Sequence, residues 1–365
     1  MSDRHLVAGP YAHAGTSVFR TMGLVMLALI PATLFGLWQF GWPAIFLFVI
    51  TIAAAVVAEA VCLRIAAKPV GPFLRDGSAL LSGWLLALTL PPWAPWWIGL
   101  MGGLIAIVVA KQIFGGIGQN LFNPAMVARV ALLISFPLEM TTFVAPTPLF
   151  SAAAPDFTEG LEITFGTLES RAQFDAVTSA SILGHVRGAL GQGLSLPDSL
   201  PADYSALSGA IGTIPDSLGE TSALLILLGG LFLLSMRVIT WPIPVAMLGA
   251  LALSAGLMHL LDPGRFADPI LHLVSGATLL GAFFIATDPV TSPLSVRGQL
   301  IFGAGCGLLV FVIRTWSGYP EGVAFAVMLM NAGTPLIDHW VRPRIYGRDR
   351  KGAPLEPGDD AERTP

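Results

Sequence analysis

The sequence predicts an all-α polytopic membrane protein of about ten transmembrane helices, built as two inverted five-helix repeats with broken helices and one periplasmic loop region. Three observations predict it. Hydrophobic residues make up 54% of the 365 and charged residues only 12%, about half the charged share of a soluble domain. Such a chain cannot cover a globule with charge, so its outer surface faces lipid. Ten apolar stretches have the length of a membrane-crossing helix or nearly so. The basic residues also divide unequally between the two sides those stretches define.

The spans are expected at about 20–40, 43–63, 78–91, 95–113, 124–137, 221–236, 241–261, 269–287, 299–316 and 321–341. The opening residues 1–19 form a cytoplasmic amino terminus without the apolar core or cleavage site of a signal peptide, so the first span directs insertion. Residues 20–137 hold the first five spans. The third is short and ends at Pro91-Pro92; the fifth is short and begins at Pro124, after the glycine-rich run 115–123. Short segments interrupted by Gly and Pro suggest helices that stop inside the membrane and line a cavity. Residues 138–220 differ in composition, with ten acidic residues against two basic ones, and form the periplasmic loop. Residues 221–341 hold the second five spans, and 342–365 a charged cytoplasmic tail.

With the amino terminus inside, fourteen Lys and Arg lie on the cytoplasmic side, Lys111 among them. Four lie opposite, Arg171, Arg187, Arg265 and Arg314, and Arg129 falls within the fifth span. Both termini are therefore expected in the cytoplasm of a bacterial cell, the chain being multi-pass in its inner membrane. Five spans per half is an odd number, so a duplicated half must insert upside down. The halves echo one another weakly, in 78–92 against 272–289, and in the basic residue and glycine that follow Lys111 and Arg314.

Ionisable groups within spans cost several kcal/mol and are functional candidates. Glu59, Arg129 and His272 lie within spans; Asp288, Glu321 and Asp338 lie at or near span ends, where solvation at the interface is the plainer account. Arg129 must find a carboxylate, carbonyls or a phosphate, either as a structural pairing or on an ion or ligand path. Cys62 and Cys306 stand far apart in apolar runs and read as packing thiols. Gly276, Gly281, Gly303, Gly305 and Gly307 are expected to let helix backbones approach closely. No phosphate-binding loop is present, since GGIGQN follows no strand.

Five long motifs carry a family resemblance: GPYAHAGTSVFRTMGLVMLALIP, RDGSALLSGWLLALTLPP, AKQIFGGIGQNLFNPAMVARVALLISFP, HLVSGATLLGAFFIATDPVTSP and RTWSGYPEGVAFAVMLMNAGTPLID. Together they resemble the D subunit of the Rnf electron-transport complex and, more distantly, the B subunit of the sodium-translocating NADH:quinone reductase. The resemblance runs from about residue 8 to residue 347. It implies a membrane subunit of a complex that passes electrons between ferredoxin and NAD⁺, coupled to Na⁺ or H⁺ movement. It also implies FMN held through a phosphodiester to a hydroxyl side chain, placed there by a periplasmic flavin transferase. Partner subunits with flavin and iron–sulfur centres are implied as well. Relatives in the quinone-reductase group hold a non-covalent riboflavin too. The chain is then a component of a translocase and not an enzyme alone; no nucleic-acid partner is expected.

The family's attachment motif is Asp, Ser or Thr three residues on, Ala two further, then the acceptor Thr. Asp175, Thr178, Ala180 and Ser181 match it, with Ser181 in the acceptor position. Ser275-Gly276-Ala277-Thr278 is the rival, superficially closer. Thr278 would lie about 13 Å into the eighth helix at 1.5 Å per residue, where a periplasmic enzyme cannot reach, and the upstream Asp is missing. Ser181 is the expected attachment residue; Ser for Thr keeps the oxygen and loses the methyl that stiffens χ1. A different class of function is an inverted-repeat solute channel or secondary transporter without a redox cofactor, since five-plus-five repeats with broken helices also build channels.

Overall fold

A computed structural model describes residues 17–152, 154–166, 178, 179, 183, 184, 186, 188, 217–319 and 321–342. It is mostly helical. Helix α1, Val18–Ile65, is not one rod: Gly41 inside it has φ 72° and ψ −155°, a conformation that glycine adopts without a Cβ penalty. Trp84 shows what the break does. Its indole N–H donates to Thr33 Oγ1 at 2.9 Å, and its ring meets Phe48 edge-on at 5.4 Å. On a straight helix those two partners would stand about 22 Å apart. The element is therefore a hairpin whose legs match the expected spans 20–40 and 43–63. The carbonyls released at the turn are taken up locally: Trp93 Nε1 donates to Phe40 O, and the backbone N–H groups of Thr147 and Leu149 donate to Gln39 and Trp38.

The next helices follow the apolar stretches closely. The short α2, Val70–Leu74, precedes α3, Ser78–Thr89, which starts after Gly77 in the left-handed region. Helix α4, Trp96–Leu104, continues as a π-helix over Ile105–Gln112. Helix α5, Pro124–Ser135, begins with Pro at its first position and Asn123 as cap, the Asn side chain accepting from Ala125 N and Met126 N. Pro at the first position loses nothing, because that N–H has no partner within a helix. After α5 come α6, Pro137–Thr141, strand β1, Phe143–Val144, and helix α7, Phe157–Phe165. Strand β2, Thr178–Ser179, pairs antiparallel with β1, Val144 opposite Thr178.

The remaining helices are α8, Ala223–Ser235, α9, Pro242–Leu261, α10, Pro269–Val274, α11, Thr278–Leu280 with a π-helical extension Gly281–Ile285, α12, Val296–Trp316, and α13, Val323–Trp340. The stretch expected as one span at 269–287 is thus divided in its interior at Ser275–Ala277. The short third and fifth spans expected at 78–91 and 124–137 correspond to α3 and α5, which begin at Ser78 and Pro124.

Helix α8 is apolar on both sides: Ile226, Gly229 and Leu233 are buried, while Leu224, Leu228 and Leu231 are about half exposed. A helix hydrophobic all round needs a second apolar medium. Among the described residues, α1, α9 and α12 are long and apolar enough to cross a membrane, and shorter apolar helices accompany them. The chain is a multi-pass membrane protein. The glycines of α12 work as expected, since a Cβ on Gly303 or Gly307 would lie 2.6 Å from Ile243 O or 2.2 Å from Met247 O. Only a bare backbone permits that approach to α9. Helix α13 packs on α5 and α1 on α8, so the core is shared between elements from both ends of the chain.

Candidate functional site

Among the described residues, two ion pairs hold the interior of this bundle. In the first, Lys111 reaches from the π-helical end of α4 to Glu59 Oε1 at 2.9 Å and Ser78 Oγ at 2.8 Å. Both charged side chains are 3% exposed. Ser78 opens α3, where Asp76 accepts from its N–H and its hydroxyl. Taking two charges out of water costs several kcal/mol each, which is recovered only with good geometry and further hydrogen bonds. The serine hydroxyl supplies one of these.

The second pair closes the break between α10 and α11. Gly276 has φ 65° there, and the carbonyls at the end of α10 lose their helical partners. Arg314, from the last turn of α12, donates to His272 O at 2.8 Å and Ser275 O at 3.1 Å, and pairs with Glu321 at 3.0 Å. Glu321 in turn accepts from Ala277 N. The cation therefore meets the carbonyl end of one short helix and the carboxylate an amide of the next. This is how a discontinuous helix survives within a membrane protein.

Thr278 belongs to this closure. It is fully buried, and its hydroxyl donates to His272 O at 2.9 Å and Ser275 O at 3.2 Å. Of the expected attachment motif, Thr178 is placed by backbone in β2, against Val144, which is buried at the end of the bundle. Asp175, Ala180 and Ser181 lie outside the described residues.

A cleft opens beside the first ion pair. It is lined by residues from both ends of the chain. Ser78, Lys111, Asn120, Asn123, Thr287 and Asp288 are among its polar groups; Leu81, Leu85, Phe283 and Phe284 form apolar walls. The π-helical turn of Gly281–Ile285 brings the two consecutive phenylalanines to this cleft; π-turns occur often at functional sites. Asn123 ties the cleft to the start of α5, and Asp288 caps the turn after the π-segment through Val290 N and Thr291 Oγ1.

Sequence reasoning found some of these residues. Glu59, His272, Glu321 and Asp288 stood out as ionisable groups in or near spans, and Glu321 turns out to be paired inside the protein instead of solvated at an interface. Arg129 is buried on α5, as expected. Lys111 and Arg314 were counted among the charges flanking spans, one on each side, but both are turned inward. The clue was their repetition: each ends the fourth expected span of its half, followed by a glycine. Asn120 and Asn123 carried no signal, and Asp338 accepts from Leu294 N at an exposed position.

The geometry stands beside clear likenesses. The model of the NQR2, RnfD, RnfE family matches residues 5–347. A protein of Halorhodospira halophila, named as the D subunit of an ion-translocating oxidoreductase complex, is 57% identical over 351 residues, 96% of this chain and 97% of that one. Proteins of the same name from Stutzerimonas stutzeri and Salmonella paratyphi A are 55% identical over 340 residues and 45% over 355. These cover 93% and 95% of this chain, and 95% and 99% of theirs.

Proposed function

Because the chain belongs to the NQR2, RnfD, RnfE family, we propose that it is the D-type membrane subunit of an ion-translocating oxidoreductase complex. In that complex it relays electrons between ferredoxin and NAD⁺ while Na⁺ or H⁺ is moved. The observation that carries this reading is the extent of the likeness, 57% identity over 96% of the chain. On this reading the chain lies in the inner membrane with both termini in the cytoplasm, as two inverted five-helix repeats. Support for the repeat comes from a recurring local arrangement. A short helix, a glycine of positive φ, a further helical segment and a buried cation from a later helix occur at α2–Gly77–α3–Lys111 and again at α10–Gly276–α11–Arg314.

FMN is attached through its phosphate to Ser181. Two facts favour this hydroxyl over Thr278. Thr178, three residues ahead of Ser181 in sequence, pairs in β2 with Val144 of β1 and is not part of a helix. The Thr278 hydroxyl is buried and already donates to two carbonyls. We assign to the cleft a second, non-covalent flavin of the riboflavin type. Lys111, Asn120, Asn123 and Asp288 offer donors and acceptors for the polar edge of a flavin ring, and Phe283, Phe284, Leu81 and Leu85 offer apolar surface for its faces. A flavin supplies one- and two-electron transfer when bound. The protein orients it, keeps water away and sets the charge beside it through the Lys111–Glu59 pair.

The test uses the full chain purified from cells that contain the transferase. Run on a denaturing gel under ultraviolet light, it shows a fluorescent flavin band that Ser181→Ala abolishes. Loss of the band on Thr278→Ala but not on Ser181→Ala would move the site. A dark band in the unaltered chain would favour the solute-channel reading.

A further inference from the structure

Helix α7 carries an apolar stripe that the bundle covers only in part. Over Phe157–Phe165 the buried face is Gly160, Ile163 and Thr164. At 100° per residue, Phe157, Leu161 and Phe165 form the adjoining stripe, spaced by four, and Thr158, Glu159 and Glu162 form the next. Phe157 and Phe165 are each 50% exposed. The helix is well defined for its length, with a complete capping box between Asp156 and Glu159.

Its placement fixes its direction. Phe157 meets Trp42 and Phe46 edge-on at 5.2 and 5.3 Å, beside the hairpin turn of α1. Eight residues later Phe165 stacks on Trp96, at the start of α4, at 6.2 Å. Those two sites lie at one depth, because Gly99, one turn into α4, faces Leu47 and Thr51 of α1. Helix α7 therefore crosses the ends of α1 and α4 and does not extend either. Its stripe continues the outward apolar surface of those helices at Val49, 57% exposed, and Trp96, 38% exposed.

We propose that α7 is an interfacial anchor: it lies in the plane of the bilayer with Phe157, Leu161 and Phe165 in the headgroup–acyl boundary and its acidic face in water. A helix parallel to the surface binds such an interface through the apolar area it buries there; with acidic residues on its polar face, α7 has that contribution alone. Aromatic rings favour the same depth. The anchor holds the start of the 138–220 segment, and with it the strand that precedes Ser181, against the membrane. The inference rests on α1 and α4 as membrane-spanning helices and not on the flavin.

Nitroxide labels test it in the full chain, with Cys62→Ala and Cys306→Ala as background. Leu161→Cys, Phe165→Cys and Glu159→Cys are labelled and reconstituted in phosphatidylethanolamine–phosphatidylglycerol vesicles, both alone and within the assembled complex. Labels at 161 and 165 collide several-fold more with oxygen than with a water-soluble nickel chelate, relative to the label at 159. Equal access of the chelate to all three positions places the stripe in water and overturns the proposal. Shielding of 161 and 165 from both reagents in the complex assigns the stripe to a protein partner and overturns it equally. All three positions lie off the buried face, and the two apolar sites report independently of each other.

Discussion

A Cβ built on Gly276 would stand 2.1 Å from Glu321 Oε2 and 2.8 Å from an Arg314 nitrogen. Gly276→Ala therefore strains the backbone by about 1–2 kcal/mol for its positive φ and also pushes the ion pair off the helix break. A lowered unfolding temperature in detergent is the expected outcome, and an unchanged one would remove the pair from its closing role. Lys111→Met leaves Glu59 buried without its cation, at a cost of about 3–5 kcal/mol. The double change Lys111→Met, Glu59→Leu recovers most of that, read by the same melting measurement. Equal losses in the single and double variants would show that packing, not charge, is what Lys111 provides. Glu59 was legible in the sequence because a carboxylate in an apolar stretch is conspicuous. Lys111 and Arg314 were not, because a basic residue ending an apolar stretch ordinarily reaches to the interface. Which way it turns depends on a π-helical register for Lys111 and a helix break for Arg314, and neither is written in hydropathy.

Among elements, α7 offers a pH test. Asp156 accepts from Glu159 N and Thr158 Oγ1, and these bonds, the backbone one foremost, hold its carboxyl below the usual aspartate range. A carboxyl lowered in the folded state contributes its stability above the unfolded value, about 3.9, and loses it as pH falls through the folded one. Protection of the Glu159 amide against hydrogen exchange, corrected for intrinsic rates, should thus decline below about pH 4. Asp156→Asn keeps the cap and removes that dependence; persistence of the decline in this variant would assign it elsewhere. The spanning helices were readable from long apolar runs bounded by Pro and Gly. The break at Ser275–Ala277 was not, since glycine is frequent in membrane helices and usually serves packing, as Gly303 and Gly307 do. What makes Gly276 different is Arg314, nearly forty residues away in sequence.

At the scale of the molecule, the helices form one bundle whose two ends differ. One end bears the cleft beside Lys111; the other gathers the hairpin turn of α1, the start of α4, α7 and the paired strands. The apolar surface was legible from composition; the cleft was not, because its polar lining comes from residues that look ordinary singly. The most direct measurement is the mass of the full chain purified from cells containing the transferase, followed by mapping of its peptides. Covalent attachment at Ser181 predicts a chain heavier by one FMN less one water, with the added mass on the peptide containing that serine. An unmodified chain, or the added mass on the peptide containing Thr278, would contradict it.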